Sequence, residues 1–141
     1  MITAVDTSVL IDVFGAHPRF GAASAQALRQ CLNEGAIVAC DAVWSETRVA
    51  FGGDQDFLDA MLALGMSFSP LSEQAATMAG ALHKQHRAGG GARDRVVADF
   101  LIGAHAMSQA DRLLTRDRGY YRKYFAGLVV VDPSAASAAG N

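Results

Sequence analysis

The sequence contains no apolar run approaching the roughly 18 residues that a membrane-spanning helix needs. It also lacks the basic first segment of a secretory signal, and Asp6 interrupts its first apolar stretch. We therefore expect a cytoplasmic protein without a membrane partner. Cysteine is scarce as well, because Cys31 and Cys40 are the only two. They have neither metal-ligand spacing nor a disulfide framework, which predicts two buried core residues.

Basic side chains are scarce in the first part of the chain, where residues 1–83 contain three of them against nine acidic ones. Residues 84–141 reverse the balance, with nine basic and five acidic side chains, and the total formal charge is −2. A negative total by itself argues against a nucleic-acid partner. The basic cluster within residues 112–123 could nevertheless bind phosphates, or it could form a solvated face.

Segments typical of short buried strands alternate with segments typical of helices. The strand-like segments are apolar and rich in β-branched residues, and they are 2–6, 36–40, 66–70, 112–115 and 128–132. The helix-like segments are 18–34, 42–51, 55–64, 73–88 and 95–108. Pro18 would lie in the first turn of the first helix, and Asp41, Asp54 and Ser72 would cap the next three.

This alternation predicts an α/β protein. Parallel strands joined by helical crossovers form a sheet with helices on both faces, so we predict a three-layer α/β/α sandwich around about five parallel strands. A length of 141 residues and a hydrophobic content of 51% suit one globular domain. We assign this domain to residues 1–132 and expect a flexible C-terminal tail at 133–141.

Four acidic residues lie where an open parallel sheet binds ligands, beyond the carboxyl ends of its strands. Asp6 ends the first strand, and Asp117 follows the fourth. Glu46 lies near the start of the helix after the second strand, and Asp99 shares a helix face with small apolar residues. A carboxylate in such surroundings needs a partner or a metal ion. Oxygen ligands without histidine or cysteine favour Mg²⁺ or Mn²⁺ over zinc.

Each of these acids also has a structural interpretation. Asp6 could cap the helix that follows it, because aspartate is a favoured N-cap residue. Glu46 could pair with Arg48 or lie on a solvated face, and Asp117 could be an ordinary turn residue. Asp94 is a fifth candidate for the site, whose alternative role is the N-cap of the next helix.

Four motifs, in this order along the chain, resemble those of PIN-domain ribonucleases. They are VDTSVLID at 5–12, WSETRVAF at 44–51, ADFLIGAHA at 98–106 and LLTRDRGYYRKYF at 113–125. More narrowly, they are similar to the VapC toxins of bacterial type II (VapBC) toxin–antitoxin systems. The resemblance implies a PIN-like fold and an Mg²⁺- or Mn²⁺-dependent endoribonuclease that hydrolyses RNA phosphodiester bonds with a metal-activated water. It also implies a homodimer and a cognate VapB-type antitoxin that inhibits the enzyme.

The resemblance also gives roles to individual residues. It implies that the catalytic acids are Asp6, Glu46, Asp99 and Asp117. The metal ligands among them would be Asp6, Asp99 and Asp117. Ser8 and Thr115 fall at positions of supporting hydroxyl groups beside the first and last acids.

Arginines next to the acidic motifs are candidates for contacts with RNA phosphates. Arg116 and Arg118 flank Asp117, and Arg93 and Arg95 precede the third acidic motif. The main alternative function is that of a PIN-domain nuclease in RNA processing outside a toxin–antitoxin system. A non-catalytic α/β binding module would keep the fold but would not need four acids.

Overall fold

Strands and helices alternate along the chain in a computed structural model that describes residues 1–89 and 97–134. The strands are β1 (Ile2–Val5), β2 (Ala36–Ala39), β3 (Met66–Phe68), β4 (Arg112–Leu114) and β5 (Val130–Val131). The helices in these ranges are α1 (Thr7–Phe14), α2 (Gly21–Glu34), α3 (Asp41–Arg48), α4 (Asp54–Leu64), α5 (Glu73–Ala88), α6 (Val97–Gln109) and α7 (Arg118–Tyr124). The predicted start of the helix at 95 and most of the predicted tail, residues 135–141, lie outside the described residues.

The strand β1 lies in the middle of a parallel sheet with the strand order β3-β2-β1-β4-β5. Thr3 aligns with Ile37 of β2 and with Arg112 of β4, so the three strands end at one edge. Because parallel crossovers are right-handed and the strand order changes direction after β3, the helices before and after β3 cover opposite faces. The predicted three-layer α/β/α sandwich is confirmed, and its topological switch point lies between β1 and β4.

The core consists of the central strands and the helix faces that cover them. Val5, Leu113 and Leu114 are at most 1% exposed, as expected of parallel strands covered on both sides. Cys31 and Cys40 are free thiols buried in the same core, which confirms their predicted role. Among the described residues, no helix has the length and apolar character needed to span a membrane.

The helix α2 begins later than predicted. The Nδ1 atom of His17 accepts hydrogen bonds from the backbone N–H groups of Arg19 and Phe20, each at 3.1 Å. These bonds hold the residues after Pro18 in a turn, so the first helical residue is Gly21. The prediction that Pro18 belongs to the first helical turn was therefore wrong.

Two of the three predicted helix caps also differ. Asp41 and Asp54 are the first residues of α3 and α4 rather than their N-caps. The carboxylate of Asp41 instead accepts a hydrogen bond of 2.6 Å from the backbone N–H of Leu71, a partner distant in sequence. Ser72 caps α5 as predicted, because its hydroxyl accepts a hydrogen bond from the backbone N–H of Ala75 at 3.1 Å.

Candidate active site

The four acidic residues singled out in the sequence line one cleft at the carboxyl edge of the sheet. We call this space, of about 420 Å³, the acidic cleft. Its lining residues are Asp6, Thr7, Ser8, Glu46, Asp99, Arg116 and Asp117. They come from the ends of β1 and β4, from the first turns of α1 and α6 and from the second turn of α3, at the edge where the topology concentrates polar groups. The fold thus brings together residues that are separated by up to 111 positions in the sequence.

Asp6 lies at the end of β1 and is also the N-cap of α1, so the alternative interpretation of Asp6 as a helix cap is confirmed. Its Oδ1 atom accepts a hydrogen bond from the backbone N–H of Thr7 at 2.8 Å. Its Oδ2 atom accepts one from the hydroxyl of Thr115 at 2.7 Å and a long one from Ser8 at 3.4 Å. These contacts fix the carboxylate in a strand-to-helix turn where Asp6 is only 8% exposed.

Burial raises the pKa of Asp6 from 3.8 to about 6. The hydrogen bonds from Thr115 and Thr7 act in the opposite direction, and the negative charges of Asp99 and Glu46 raise the pKa further. The cleft has an excess of negative charge, so the neighbouring acids add to the free-energy cost of ionising Asp6. A cation in this cleft would remove the penalty.

Thr115 connects the first and last acids of the cleft. Its side chain is fully buried just after β4, and its hydroxyl donates to Asp6 while accepting a hydrogen bond of 3.0 Å from the backbone N–H of Asp117. One hydroxyl group therefore sets the position of the Asp6 carboxylate relative to the turn that carries Asp117. A supporting role of Thr115 in the site stays a prediction.

Glu46 faces the cleft from α3 and is held by a residue that the sequence analysis did not single out as a site residue. The hydroxyl of Thr7 donates a hydrogen bond of 2.7 Å to Glu46 Oε1, while the backbone N–H of Thr7 binds Asp6. Arg48, the alternative partner of Glu46, instead forms an ion pair with Asp54 at 2.8 Å. The two consecutive polar groups of Thr7 thus connect two acids from different segments.

Asp99 and Asp117 enter the cleft from the first turn of α6 and from the N-cap position of α7. Both lie close enough to the phenol of Tyr121 for their charges, with that of Asp6, to raise its pKa beyond the effect of burial. The position of α6 depends on Gly103, one turn after Asp99. A Cβ atom at Gly103 would lie 2.3 Å from the ring of Phe125, so only glycine permits this approach.

Most of the chain, residues 3–126, matches the PIN domain family. This chain belongs to that family. No curated protein matches the sequence closely enough to add a relative.

Solved structures with the same fold include bacterial toxin–antitoxin complexes. VapBC2 from Rickettsia felis, bound to a promoter DNA fragment, is 19% identical with a TM-score of 0.73, covering 94% of this chain and 98% of that chain. VapBC-1 from nontypeable Haemophilus influenzae is 20% identical with a TM-score of 0.71, covering 95% and 99%. VapC20 from Mycobacterium tuberculosis, a Sarcin-Ricin loop cleaving toxin, is 16% identical with a TM-score of 0.57, covering 95% and 94%. At these identities the likeness establishes the PIN fold.

The arginines proposed for RNA contacts occupy different places in this PIN domain. Arg116 lines the acidic cleft, whereas Arg118 is exposed at the start of α7 and is not among the described residues that line it. Arg93 and Arg95 lie outside the described residues, as does the fifth acidic candidate, Asp94. Among the described residues, Arg116 is the one of these arginines that lines the cleft with the acids.

The acids of this PIN domain suit a hard divalent cation. All four acids of the cleft are carboxylates, and a positive charge would relieve their mutual repulsion at Asp6. Within residues 1–89 and 97–134, no three His, Cys, Asp or Glu side chains converge tightly enough to form a preformed metal cage. Mg²⁺ in proteins usually keeps several of its waters and binds through few carboxylates together with substrate phosphates.

Proposed function

We propose that this PIN domain is a divalent-metal-dependent endoribonuclease, and that it acts as the toxin of a VapBC-type toxin–antitoxin pair. The observation that carries the proposal is the acidic cleft, where four carboxylates line one opening and the pKa of Asp6 is raised to about 6. A cluster of this kind disfavours the ionised state of Asp6, and carboxylates with strongly perturbed pKa values occur preferentially at functional sites. RNA is the proposed substrate because one protein of the same fold is described as a Sarcin-Ricin loop cleaving toxin.

Asp6, Asp99 and Asp117 would hold Mg²⁺ or Mn²⁺, with Glu46 completing the set of acids. When bound there, the cation would supply an activated water and stabilise negative charge on the transferred phosphoryl group. The protein fixes the ligand geometry in advance, because Thr115 and Thr7 hold the Asp6 carboxylate at both oxygens. Glu46 is oriented by the Thr7 hydroxyl, and its carboxylate is available to orient a water molecule or to accept a proton from it.

The partners follow from the same resemblance. Similar folds occur in VapBC complexes from Rickettsia felis and Haemophilus influenzae, which supports an inhibitory antitoxin as the partner of this chain. We propose a cytoplasmic homodimer that loses nuclease activity when the antitoxin binds. Expression of the chain alone should then arrest bacterial growth, and co-expression of a short reading frame next to its gene should restore growth. Cleavage of RNA without growth arrest would instead favour RNA processing outside a toxin–antitoxin system.

The decisive test of nuclease activity uses purified protein on a pool of cellular RNAs, with Mg²⁺ or with a chelator. We expect cleavage by the wild type only with metal, leaving 5′-phosphate and 3′-hydroxyl ends. Asp6→Asn and Asp99→Asn should each reduce the rate by at least about 100-fold, because each removes a charge from the reaction centre. Asp59→Asn, at an exposed carboxylate on α4, is the matched control and should cleave normally. Wild-type cleavage rates for Asp99→Asn would exclude that residue from the mechanism.

A further inference from the structure

An ion pair joins Arg116, which lines the acidic cleft, to Asp12 behind it. Arg116 Nε lies 2.7 Å from Asp12 Oδ2, and Arg116 Nη2 lies 3.0 Å from Asp12 Oδ1. The two parallel bonds form the bidentate geometry that fixes a guanidinium group in its own plane. Arg116 immediately precedes Asp117, so the orientation of this group is set directly beside an acid of the cleft.

The two partners differ in their access to solvent. The side chain of Asp12 is 2% exposed and that of Arg116 is 29% exposed. Arg116 lines the cleft, whereas Asp12 lies behind it and accepts a further hydrogen bond from the Ser24 hydroxyl at 2.9 Å. The carboxylate is thus positioned to act on the arginine and not on a substrate.

The ring of Phe20 restrains the guanidinium from a second direction. Arg116 Cζ lies 4.1 Å from the ring centroid, within the range of a cation–π interaction. The bonds to Asp12 use Nε and one side of Nη2, and they leave Nη1 for a further partner. A free arginine side chain loses much rotamer entropy when it binds a ligand. Because Arg116 is already restrained, it loses less entropy on binding.

We propose that Asp12 and Phe20 are positioning residues that hold Arg116 as a fixed hydrogen-bond donor for one phosphate of the RNA backbone in the acidic cleft. The inference rests on the proposed function. Four carboxylates repel a polyanion, so a donor held among them lowers the energy of phosphate entry in a defined orientation. Because Asp12 neutralises much of the arginine charge, the contribution of Arg116 is directional hydrogen bonding and not general attraction.

The direction in which Asp12→Asn changes the KM for RNA distinguishes a positioning role of Asp12 from an effect of its charge. Asp12→Asn removes a negative charge near the cleft, so general attraction alone would lower the KM for RNA. If Asp12 positions Arg116, the substitution should instead weaken the bonds from Arg116 to the phosphate. We therefore expect the KM to rise about 10- to 100-fold, the factor associated with one or two charge-assisted hydrogen bonds. Arg116→Lys, which keeps the charge but loses the fork, should show the same rise. A lower KM in Asp12→Asn would overturn the proposal.

A methylphosphonate scan identifies the phosphate and does not depend on how stable the variants are. Single phosphates of a cleavable RNA are replaced in turn by uncharged methylphosphonates, and kcat/KM is measured for the wild type and for Arg116→Lys. We expect one position at which the replacement lowers kcat/KM about 10-fold or more in the wild type but hardly at all in the variant. Equal losses at every position in both proteins would show that Arg116 has only a structural role.

Two further proteins complete the test. The triple variant Asp12→Val, Ser24→Ala and Arg116→Met replaces the buried ion pair by apolar groups, which preserves folding in many proteins. It should fold and still show the raised KM, whereas a wild-type KM would overturn the proposal. Arg112→Lys is the control, because Arg112 pairs with Glu34 at the opposite edge of the sheet and should keep the wild-type KM. If the wild type itself does not cleave RNA, the proposed function fails; if it cleaves and these variants match it, only the positioning role fails.

Discussion

Asp6→Asn should make the metal-free protein more stable while it abolishes cleavage. The carboxyl of Asp6 is protonated more readily in the folded protein, where its pKa is about 6, than in the unfolded chain, where the ordinary value is 3.8. Its protonated form therefore contributes stability that is fully present below pH 3.8 and is lost as the pH rises through about 6. Asparagine has a similar shape but never ionises, so it avoids this loss.

The size of the effect follows from the pKa. Each pKa unit corresponds to about 1.4 kcal/mol, so two units give a penalty of up to about 3 kcal/mol at neutral pH. Asparagine also exchanges a carboxylate oxygen for an amide group next to the Thr115 hydroxyl, which costs about 1 kcal/mol. The net gain in unfolding free energy is about 2 kcal/mol near pH 7.5, or a rise in Tm of about 4–8 °C for a domain of this size. Near pH 4 the gain should disappear.

The assay is chemical denaturation of both proteins in chelator at the two pH values, with Asp59→Asn as the control. The control substitution lies on an exposed part of α4 and should change the unfolding free energy by less than about 0.5 kcal/mol. Added Mg²⁺ should stabilise the wild type and narrow its difference from Asp6→Asn, because a ligand that binds only the folded state raises its stability. If Asp6→Asn differs from the wild type by the same unfolding free energy at both pH values, the Asp6 carboxylate carries no burial penalty and the reasoning is wrong.

Three further substitutions test individual contacts, two of them near the acidic cleft and one at the start of α5. Thr115→Val removes the hydroxyl between Asp6 and Asp117 at nearly constant volume, and kcat should fall by about 10-fold or more in a cleavage assay; an unchanged kcat would contradict this. Gly103→Ala places a methyl group against Phe125 and should lower the unfolding free energy by about 1–3 kcal/mol, measured by denaturation, with no loss if the ring can move away. Ser72→Ala removes the N-cap of α5 and should lower the unfolding free energy by about 1 kcal/mol in a denaturation experiment without changing kcat. An unchanged unfolding free energy would contradict this role of the cap.

The fold could be predicted from local patterns because the central strands are covered on both faces. Such strands appear in the sequence as short apolar runs, for example at 36–40 and 112–115, and the helices between them determine the parallel topology. Helix starts were less predictable, since some of them depend on contacts across the chain. The Asp41 carboxylate binds the backbone of Leu71, 30 positions away, which no local pattern predicts. His17 delays the start of α2 through bonds to the nearby Arg19 and Phe20, so this start was missed for a local reason.

The acids of the site could be predicted, whereas most of the groups that hold them could not. A carboxylate at a strand end or on an apolar helix face is conspicuous, because a buried charge needs a compensating partner. The hydroxyl of Thr7 is not conspicuous, since threonine after an aspartate also suits an ordinary helix start. Its contact with Glu46 depends on how α3 packs against α1, which only the folded chain defines.

Asp12 shows where the same argument could have gone further. It lies between apolar residues in VLIDVF, so it satisfies the criterion that singled out Asp99. Its partner, Arg116, is 104 positions away, and no local pattern could have distinguished it from the other arginines of the basic cluster. An acid within an apolar helix can therefore be compensated by an arginine distant in sequence, so its presence alone does not indicate a metal site. The pattern that singled out Asp99 did not lead to Asp12, and the packing of β4 beside β1 is what brings Arg116 to Asp12.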